Sequence, residues 1–268
     1  MKKIAIALTA FAALTGTASA ADLAARPYTK APAPVVAVAN WTGCYVGGGG
    51  GFGIWNQDNT GYDDRNVLAG VGARVQTTER ATAGGRGYFG TVQGGCDYQF
   101  ALGTWNMVVG AFGDYDFASE KGQLNLPVSN WFGTEKLDSK WAIGGRIGWL
   151  VTPSLLTYFS GGYTEAHFNQ VNFNANLVPG ATNYFPGATY KGYFLGAGDE
   201  YALSFLPGLF WKTEYRFSQF DTRTNIQYAA GTNVRFNTNS YDSQKWEQSV
   251  RSELVYRFNW GGAVVAKY

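Results

Sequence analysis

Residues 85–100 read GRGYFGTVQGGCDYQF, and their alternation decides the fold class. One parity is apolar or small and contains Tyr88, Gly90, Val92, Gly94, Cys96, Tyr98 and Phe100. The other parity is mainly polar and contains Thr91, Gln93, Asp97 and Gln99, with Phe89 as an exception. A period of two is typical of a strand with one apolar and one polar face. Residues 105–117 repeat the pattern, although Val108 and Phe112 interrupt the polar parity.

The composition agrees with β-structure and excludes two classes of protein. The chain has 268 residues, of which 15% are charged, 16% are aromatic and 36 are glycine. Ordinary globular proteins carry about 25% charged residues and about 7% glycine. The aromatic content argues against disorder. The sequence contains no run of 18 apolar residues, which excludes a membrane protein built from helices.

The first 20 residues have the three parts of a secretory signal peptide. A basic start at Lys2 and Lys3 precedes a short apolar core, and Ala18-Ser19-Ala20 predicts cleavage between Ala20 and Ala21. A buried N-terminal helix is the alternative. Without Lys2 and Lys3 the chain has 19 basic and 19 acidic residues, so its formal charge is zero. This balance gives no support to a basic nucleic-acid-binding surface, and no nucleic acid is expected as a partner.

Residues 21–40, rich in Ala and Pro, are predicted to be an extended periplasmic leader; a peptidoglycan- or partner-binding tail is the alternative.

The alternation continues along the chain and predicts eight strands, at residues 41–55, 85–99, 105–117, 140–150, 155–168, 189–202, 209–221 and 245–258. Long polar connections of about 20 to 30 residues alternate with turns of about four to six, as in transmembrane barrels. A bilayer cannot satisfy unpaired backbone groups, so strands cross it as a closed barrel. Residues 41–268 are therefore predicted to form an all-β, eight-stranded antiparallel transmembrane β-barrel with long extracellular loops and short periplasmic turns. A soluble β-sandwich is the alternative.

Proline and tryptophan positions favour the barrel. All eight prolines fall outside the predicted strands, where their missing N–H does not interrupt a ladder. Tryptophan prefers the interface between membrane and water. Eight tryptophans at or near strand ends are therefore predicted interfacial aromatics: Trp41, Trp55, Trp105, Trp141, Trp149, Trp211, Trp246 and Trp260.

The two cysteines can meet if the first two strands form a hairpin. A register that aligns Trp55 with Gly85 places Cys44 opposite Cys96. Opposed Cβ atoms on antiparallel strands are close enough for a disulfide, and the periplasm is oxidising. Because this register is one choice among several, two unpaired thiols packed as small apolar residues are the alternative.

Charged residues within the strands share the polar parity. They are predicted to face the lumen, because an unpaired charge facing lipid costs about 2–4 kcal/mol at mid-membrane. The set comprises Asp97, Asp114, Arg146, Glu214, Arg216, Arg251, Glu253 and Arg257. The interior of an eight-stranded barrel is just wide enough for side chains to fill, which favours a packed ion-pair network over a pore lining. Asp199 lies on the apolar parity and fits neither role.

Catalytic, metal and cofactor sites have little support in the sequence. His167 is the single histidine and shares a parity with Glu165, but no G-x-S-x-G motif or second histidine accompanies it. Two cysteines and one histidine do not make a tetrahedral metal set. The glycine run at residues 47–51 lacks the Lys-Ser/Thr of a phosphate-binding loop. We therefore expect no cofactor and no enzymatic activity.

Several short motifs occur in an order that resembles a known family. They are WTGCYVGG at 41–48, GGRIGW at 144–149 followed by LLTY at 155–158, EYRF at 214–217, YRF at 256–258 and WGGAVVAKY at 260–268. The chain resembles, over essentially its whole length, the small outer-membrane β-barrels of alphaproteobacteria that are called outer-membrane immunogenic or porin-family proteins. Cys44 stands where a bulky aromatic residue is usual in that family, and Phe112 where an acidic one is common.

The resemblance implies an eight-stranded barrel in the cell outer membrane with loops displayed at the surface. It also implies that an aromatic C-terminal ending, Phe258 or Tyr268, serves the barrel-assembly machinery during insertion. The leading hypothesis is a monomeric structural and surface-display barrel with a largely filled lumen, in contact with outer-membrane lipids and lipopolysaccharide. The alternatives are a diffusion channel for small polar solutes and an adhesin or ligand binder that uses its loops.

Overall fold

The computed structural model describes residues 39–125, 131–175 and 180–258. The predicted signal peptide with its Ala20–Ala21 cleavage site, the leader up to residue 38, Trp260 and Tyr268 lie outside the described residues. Within the described part of the chain, no helix has the length and apolar character needed to cross a membrane.

Eight antiparallel strands form a closed ring, which confirms the predicted fold class. They are β1 (Gly43–Asp63), β3 (Ala81–Leu102), β4 (Trp105–Asn125), β5 (Trp131–Thr152), β6 (Leu155–Phe168), β9 (Ala188–Ala202), β10 (Leu209–Phe220) and β12 (Arg235–Phe258). Each strand pairs with the next in this order, and pairing of β12 with β1 closes the ring. Closure leaves no edge strand, so every strand of the ring has a hydrogen-bonding neighbour on both sides.

The remaining elements lie in the stretches predicted to be long loops. They are α1 (Arg65–Leu68), β2 (Val75–Gln76), β7 (Val171–Ala175), β8 (Ala181–Phe185) and β11 (Arg223–Ala229). The prediction is wrong where β7, β8 and β11 form, because these strands extend the wall of the barrel. Beyond Phe168, Ala188 and Phe220, where β6, β9 and β10 have their ends opposite the short turns, the wall continues through β7, β8 and β11. There β7 pairs with β5 and β8, and β11 pairs with β8 and β12. The ring therefore stays eight-stranded well beyond the predicted strand ends, because antiparallel pairing satisfies the backbone whether or not one face is apolar.

The ends of the barrel differ as predicted. The lower turns are short: residues 103–104, 153–154 and 203–208. Gly103 and Gly208 take left-handed backbone conformations there, with φ of 62° and 84°. At the upper end, residues 64–80 carry α1 and β2 and form a longer connection. Short turns are typical of the periplasmic side of a transmembrane barrel and longer loops of the outside. The end that carries the turns at 103–104, 153–154 and 203–208 is therefore called the periplasmic end, and the opposite end the upper end.

The outer surface carries an apolar band between two aromatic girdles. Exposed apolar side chains of the band include Val46, Val92, Val109, Ile143, Ile147, Phe159, Leu195, Val250 and Leu254. On β3, Tyr98 marks the lower girdle and Tyr88 the upper one, and these side chains are 62% and 75% exposed. The ten residue steps from Tyr88 to Tyr98 span about 33 Å of strand, or about 25 Å vertically at a tilt near 40°. That height matches the apolar band of a transmembrane barrel.

The predicted register of the first hairpin is confirmed. Trp55 lies opposite Gly85 and Cys44 opposite Cys96. The structure joins the two cysteines by a disulfide across β1 and β3 near the periplasmic end. Cys96 is exposed and shares the outward parity of β3 with Tyr98, so the disulfide lies on the outer wall rather than in the lumen.

Candidate functional site in the barrel lumen

Charged side chains fill much of the lumen. All eight predicted lumen residues are buried, with at most 7% exposure for any of them. The structure adds eight buried charges that the predicted set omitted: Asp116, Glu120, Glu135, Lys140, Glu200, Lys212, Lys245 and Glu247. Strand parity predicts most of them, because Lys212 shares the inward parity of Glu214, and Lys245 and Glu247 share that of Arg251. Glu120 and Glu135 lie in stretches that the sequence predicts to be loops, so strand parity does not apply to them there.

The lowest charged layer, near the periplasmic end, is a four-residue cluster. Arg146 Nε donates to Asp97 Oδ1 at 2.9 Å, and its Nη1 donates to Glu200 Oε2 at 2.8 Å. Arg257 donates to the same two carboxylates, to Asp97 Oδ2 at 2.6 Å and to Glu200 Oε1 at 2.6 Å. Each carboxylate thus receives bonds from two guanidinium groups, which is the arrangement that best offsets desolvation of buried charges.

The middle layer crosses the lumen from one wall to the other. Arg216 on β10 donates through both Nη atoms to Asp114 on β4, at 3.1 and 2.9 Å. These strands are four positions apart in the ring of eight and therefore lie on opposite walls. Lys212 Nζ donates to Gln93 Oε1 at 2.8 Å, and the Tyr158 hydroxyl donates to Glu214 Oε2 at 2.8 Å.

Two further bridges join opposite walls higher in the barrel. Lys140 on β5 donates to both carboxylate oxygens of Glu247 on β12, at 2.5 and 2.6 Å. Lys245 on β12 donates to Glu135 Oε1 on β5 at 2.8 Å. Strands β5 and β12 are also four positions apart in the ring. The lumen is therefore spanned by ion pairs at three levels.

Apolar layers alternate with the charged ones. A lower cluster includes Val108, Phe112, Phe194 and Phe210, so the two residues that interrupt the polar parity of β4 pack inside the barrel. A second cluster lies around Trp55, Phe89 and Phe168. The top cluster consists of Leu124, Val171, Phe173, Phe185 and Tyr241. The cavity beside this top cluster is about 10 Å³, which is about the space that one water needs.

The prediction of an interfacial position is wrong for Trp41 and Trp55, because both side chains are fully buried inside the barrel. Trp55 has the inward parity of β1, and its indole N–H donates to the Glu120 carbonyl at 3.4 Å. The Trp41 ring lies 4.8 Å from the ring of Phe210 and its N–H donates to the Pro153 carbonyl at 3.3 Å, so it covers the periplasmic mouth. The N–H of each indole thus has a carbonyl acceptor inside the barrel. Tryptophan usually obtains such a hydrogen bond at the membrane interface.

The other described tryptophans of the predicted set have outward parity. Trp105 and Trp211 are 60% and 50% exposed, whereas Trp141, Trp149 and Trp246 are partly buried by neighbours on the outer wall. Proximity to a strand end therefore predicts an interfacial tryptophan only when parity also points outward.

The inward face of β1 consists of glycines between Tyr45 and Trp55, and two of them admit bulky neighbours. A Cβ at Gly51 would lie 2.3 Å from the tip of the Phe89 ring, and one at Gly53 would lie 2.3 Å from a Glu120 carboxylate oxygen. The glycine run thus has a packing role and not a phosphate-binding one.

Several buried polar atoms have no hydrogen-bond partner within the described residues. They include both carboxylate oxygens of Glu120 and of Glu253, two nitrogens of Arg251, and the Ser249 hydroxyl. Such groups are usually satisfied by ordered water when they are buried. These groups lie on β4 and β12, whereas the cluster of Asp97, Arg146, Glu200 and Arg257 at the periplasmic end contains no such atom.

His167 and Glu165 do not form an acid–base pair. The His167 Nδ1 lies 3.2 Å from the Thr189 hydroxyl, whereas Glu165 accepts a hydrogen bond from Tyr163 at 2.7 Å. Within the part of the chain that the structure describes, no three His, Cys, Asp or Glu side chains come together as a metal site. Asp199, which the sequence left unplaced, faces outward and accepts a hydrogen bond from Thr157 at 2.6 Å.

No family model and no curated protein matches the sequence. Among solved structures, the attachment invasion locus protein Ail of Yersinia pestis is 10% identical, with a TM-score of 0.30, over 79% of this chain and 99% of that one. Neisserial surface protein A is 11% identical, with a TM-score of 0.32, over 77% of this chain and 97% of that one. The outer membrane protease OmpT of Escherichia coli is 10% identical, with a TM-score of 0.35, over 80% and 97%. No function is transferred from these proteins at such low similarity.

Proposed function

We propose that this protein is an integral outer-membrane barrel that contributes to the structure of the envelope, displays its upper end at the cell surface, and does not conduct solutes. The observation that carries the proposal is the set of ion pairs between opposite walls: Arg216–Asp114, Lys140–Glu247 and Lys245–Glu135. With apolar layers above and below, these bridges occupy the space through which a solute would pass.

The membrane location is supported by the outer surface. The apolar band has the height of a bilayer's hydrocarbon region, and strands can cross that region only as a closed barrel. The predicted signal peptide and the family resemblance support export to the outer membrane. Insertion by the barrel-assembly machinery and a monomeric state are parts of the same proposal.

Planar-bilayer recording of the refolded protein tests the proposal. The wild type is expected to give no reproducible open steps in salt solution. The variant W41A/R257S removes the ring and the guanidinium at the periplasmic mouth, and R216S/K140S removes two cross-lumen bridges. Combining the four substitutions is expected to produce steps, with insertion verified by protease protection of the barrel. Reproducible steps from the wild type would contradict the filled-lumen proposal and leave the membrane location intact.

A narrow pathway for ions is the second candidate function. The buried polar atoms of Ser249, Arg251 and Glu253 on β12 and of Glu120 on β4 that have no hydrogen-bond partner within the described residues favour it. Buried groups of this kind are usually satisfied by water. If this pathway operates, E120Q should change cation selectivity without changing insertion.

A ligand-binding or adhesive role would have to use the upper end of the barrel. The stretch at residues 169–189, which lies between predicted strands, contains β7 and β8, and its Val171, Phe173 and Phe185 are buried. The connection at 64–80 is the better candidate, because Val67, Leu68 and Val71 are more than half exposed. We propose no enzymatic role, because His167 lacks the bonded carboxylate that would orient it as a base.

A further inference from the structure

Three cations stand in a row on the outer wall. Arg86 on β3 lies directly opposite Lys121 on β4, and Lys121 lies directly opposite Lys136 on β5. Arg86 and Lys121 are exposed, and Lys136 is partly exposed on the same outward side. Opposed side chains on antiparallel strands have Cβ atoms about 4.5–5.5 Å apart, so three like charges are held side by side.

Within the described residues, a single anion balances the three cations of the row. Lys136 Nζ donates to Asp138 Oδ1 at 2.5 Å, whereas Arg86 and Lys121 have no ion pair or hydrogen bond with another described residue. The connection between β4 and β5, residues 126–130, has the sequence LPVSN and contains no acidic residue. Like charges placed directly opposite each other destabilise a sheet, so an anion from outside the chain would stabilise this face.

The position of the row indicates what that anion is. Arg86 is two residues above the girdle residue Tyr88, Lys121 is four above Phe117, and Lys136 is five above Trp141. These separations correspond to about 7 Å for Arg86 and to at most about 13 and 16 Å for Lys121 and Lys136, because register irregularities lie between Phe117 and Glu120 and between Leu137 and Ser139. The three side chains therefore lie at the height of the headgroups of the outer leaflet, and long cationic side chains extend readily into that zone.

We propose that Arg86, Lys121 and Lys136 form a binding site for the phosphate groups of a phosphorylated glycolipid in the outer leaflet. The planar guanidinium of Arg86 can bond two phosphate oxygens at once, and the lysines supply point charges to a second phosphate. A glycolipid with two phosphates fits the length of the row better than a phospholipid with one. This inference rests on the proposed outer-membrane location and assigns three residues to the contact with an outer-leaflet lipid.

Native mass spectrometry of the folded full barrel in neutral detergent tests the site. The probes are diphosphoryl lipid A, monophosphoryl lipid A and phosphatidylglycerol. The wild type is expected to bind diphosphoryl lipid A most tightly. R86Q/K121Q is expected to weaken that binding about tenfold, which corresponds to about 1.4 kcal/mol. K191Q is the matched control, because Lys191 is an exposed outward cation that lies 4.0 Å from Glu165 and outside the row; its binding should stay within twofold of the wild type.

The outcomes separate this inference from the proposed function. Equal binding of diphosphoryl lipid A by the wild type and R86Q/K121Q would overturn the site, as would equal affinity of the wild type for phosphatidylglycerol. Insertion of both proteins into vesicles is measured in parallel by protease protection. A wild type that binds lipid A in detergent but fails to insert would contradict the proposed function, whereas normal insertion with unchanged lipid binding would contradict the phosphate site alone.

Discussion

Two carboxylates inside the same barrel have opposite surroundings. Glu200, at the periplasmic end, accepts hydrogen bonds from Arg146 and Arg257. Glu120, in the upper half, is as deeply buried, but both of its carboxylate oxygens lack a hydrogen-bond partner within the described residues. Burial alone therefore says little about how a lumen charge affects stability. Its partners decide that effect, and the periplasmic end is the better bonded of the two regions.

The same substitution at both sites provides the strongest test of this difference. E200Q removes the charge that balances two buried guanidinium groups and is expected to cost about 3 kcal/mol, since breaking a buried ion pair leaves an uncompensated charge. E120Q changes a carboxyl group that has no hydrogen-bond partner within the described residues and that lies near Glu247 and Asp116 as well as near Lys140. Its effect is therefore expected to stay below about 1 kcal/mol. Reversible urea unfolding of the barrel in lipid vesicles measures both free energies.

Each of these variants is the other's control, because both exchange a carboxylate for an amide of the same shape. Equal losses of stability would contradict the comparison. They would indicate that the hydrogen-bonding capacity of Glu120 is met as fully as that of Glu200.

The disulfide adds a second constraint at the periplasmic end. Cys44 and Cys96 are 52 residues apart in sequence, so their link restricts the unfolded chain strongly. C44S/C96S is expected to lower the free energy of unfolding by about 2–4 kcal/mol. The measurement is urea unfolding without reductant. Reducing the wild type under the same conditions should reproduce the loss, and reductant should leave C44S/C96S unchanged.

The local effect of that variant sharpens the comparison between the two ends. Amide hydrogen exchange is expected to become faster at the lower ends of β1 and β3, while β7 and β8 keep their protection. Faster exchange in β7 and β8 alone would contradict a role for the disulfide at the periplasmic end.

The smallest expected effect concerns the exposed upper loop. The side chain and backbone N–H of Arg65 donate to the Asp63 carboxylate and lower its pKa from 3.8 to about 2. The Asp63 carboxylate of the unfolded chain binds a proton more readily than that of the folded protein. The Arg65–Asp63 pair therefore contributes to the order of the loop above about pH 4, and this contribution is lost as the pH falls through about 2. Carboxyl NMR titration should give a midpoint near 2 for the wild type and a higher one for R65Q, which loses the guanidinium donor but keeps the backbone N–H of residue 65. An unchanged midpoint in R65Q would show that Arg65 does not hold the carboxylate.

Much of the fold is predictable because strand alternation is local. The parity of residues 85–100 was enough to place Asp97 inward and Tyr98 outward, and the pairing of Cys44 with Cys96 followed from one choice of register. The extracellular extension was missed because β7, β8 and β11 lie in stretches that we classified as polar loops. Trp41 and Trp55 were misplaced because nearness to a strand end outweighed parity in our prediction.

The sequence by itself determined that the chain forms strands and which parity is polar, because both depend on residues two positions apart. The tertiary structure alone decided which charges meet across the lumen. Arg216 reaches Asp114, 102 residues earlier, only after all eight strands have closed with a particular stagger. The registers of β3 with β4 and of β4 with β5 bring Arg86, Lys121 and Lys136 into one row. Such contacts depend on the register of several strands at once, and no local pattern records that register.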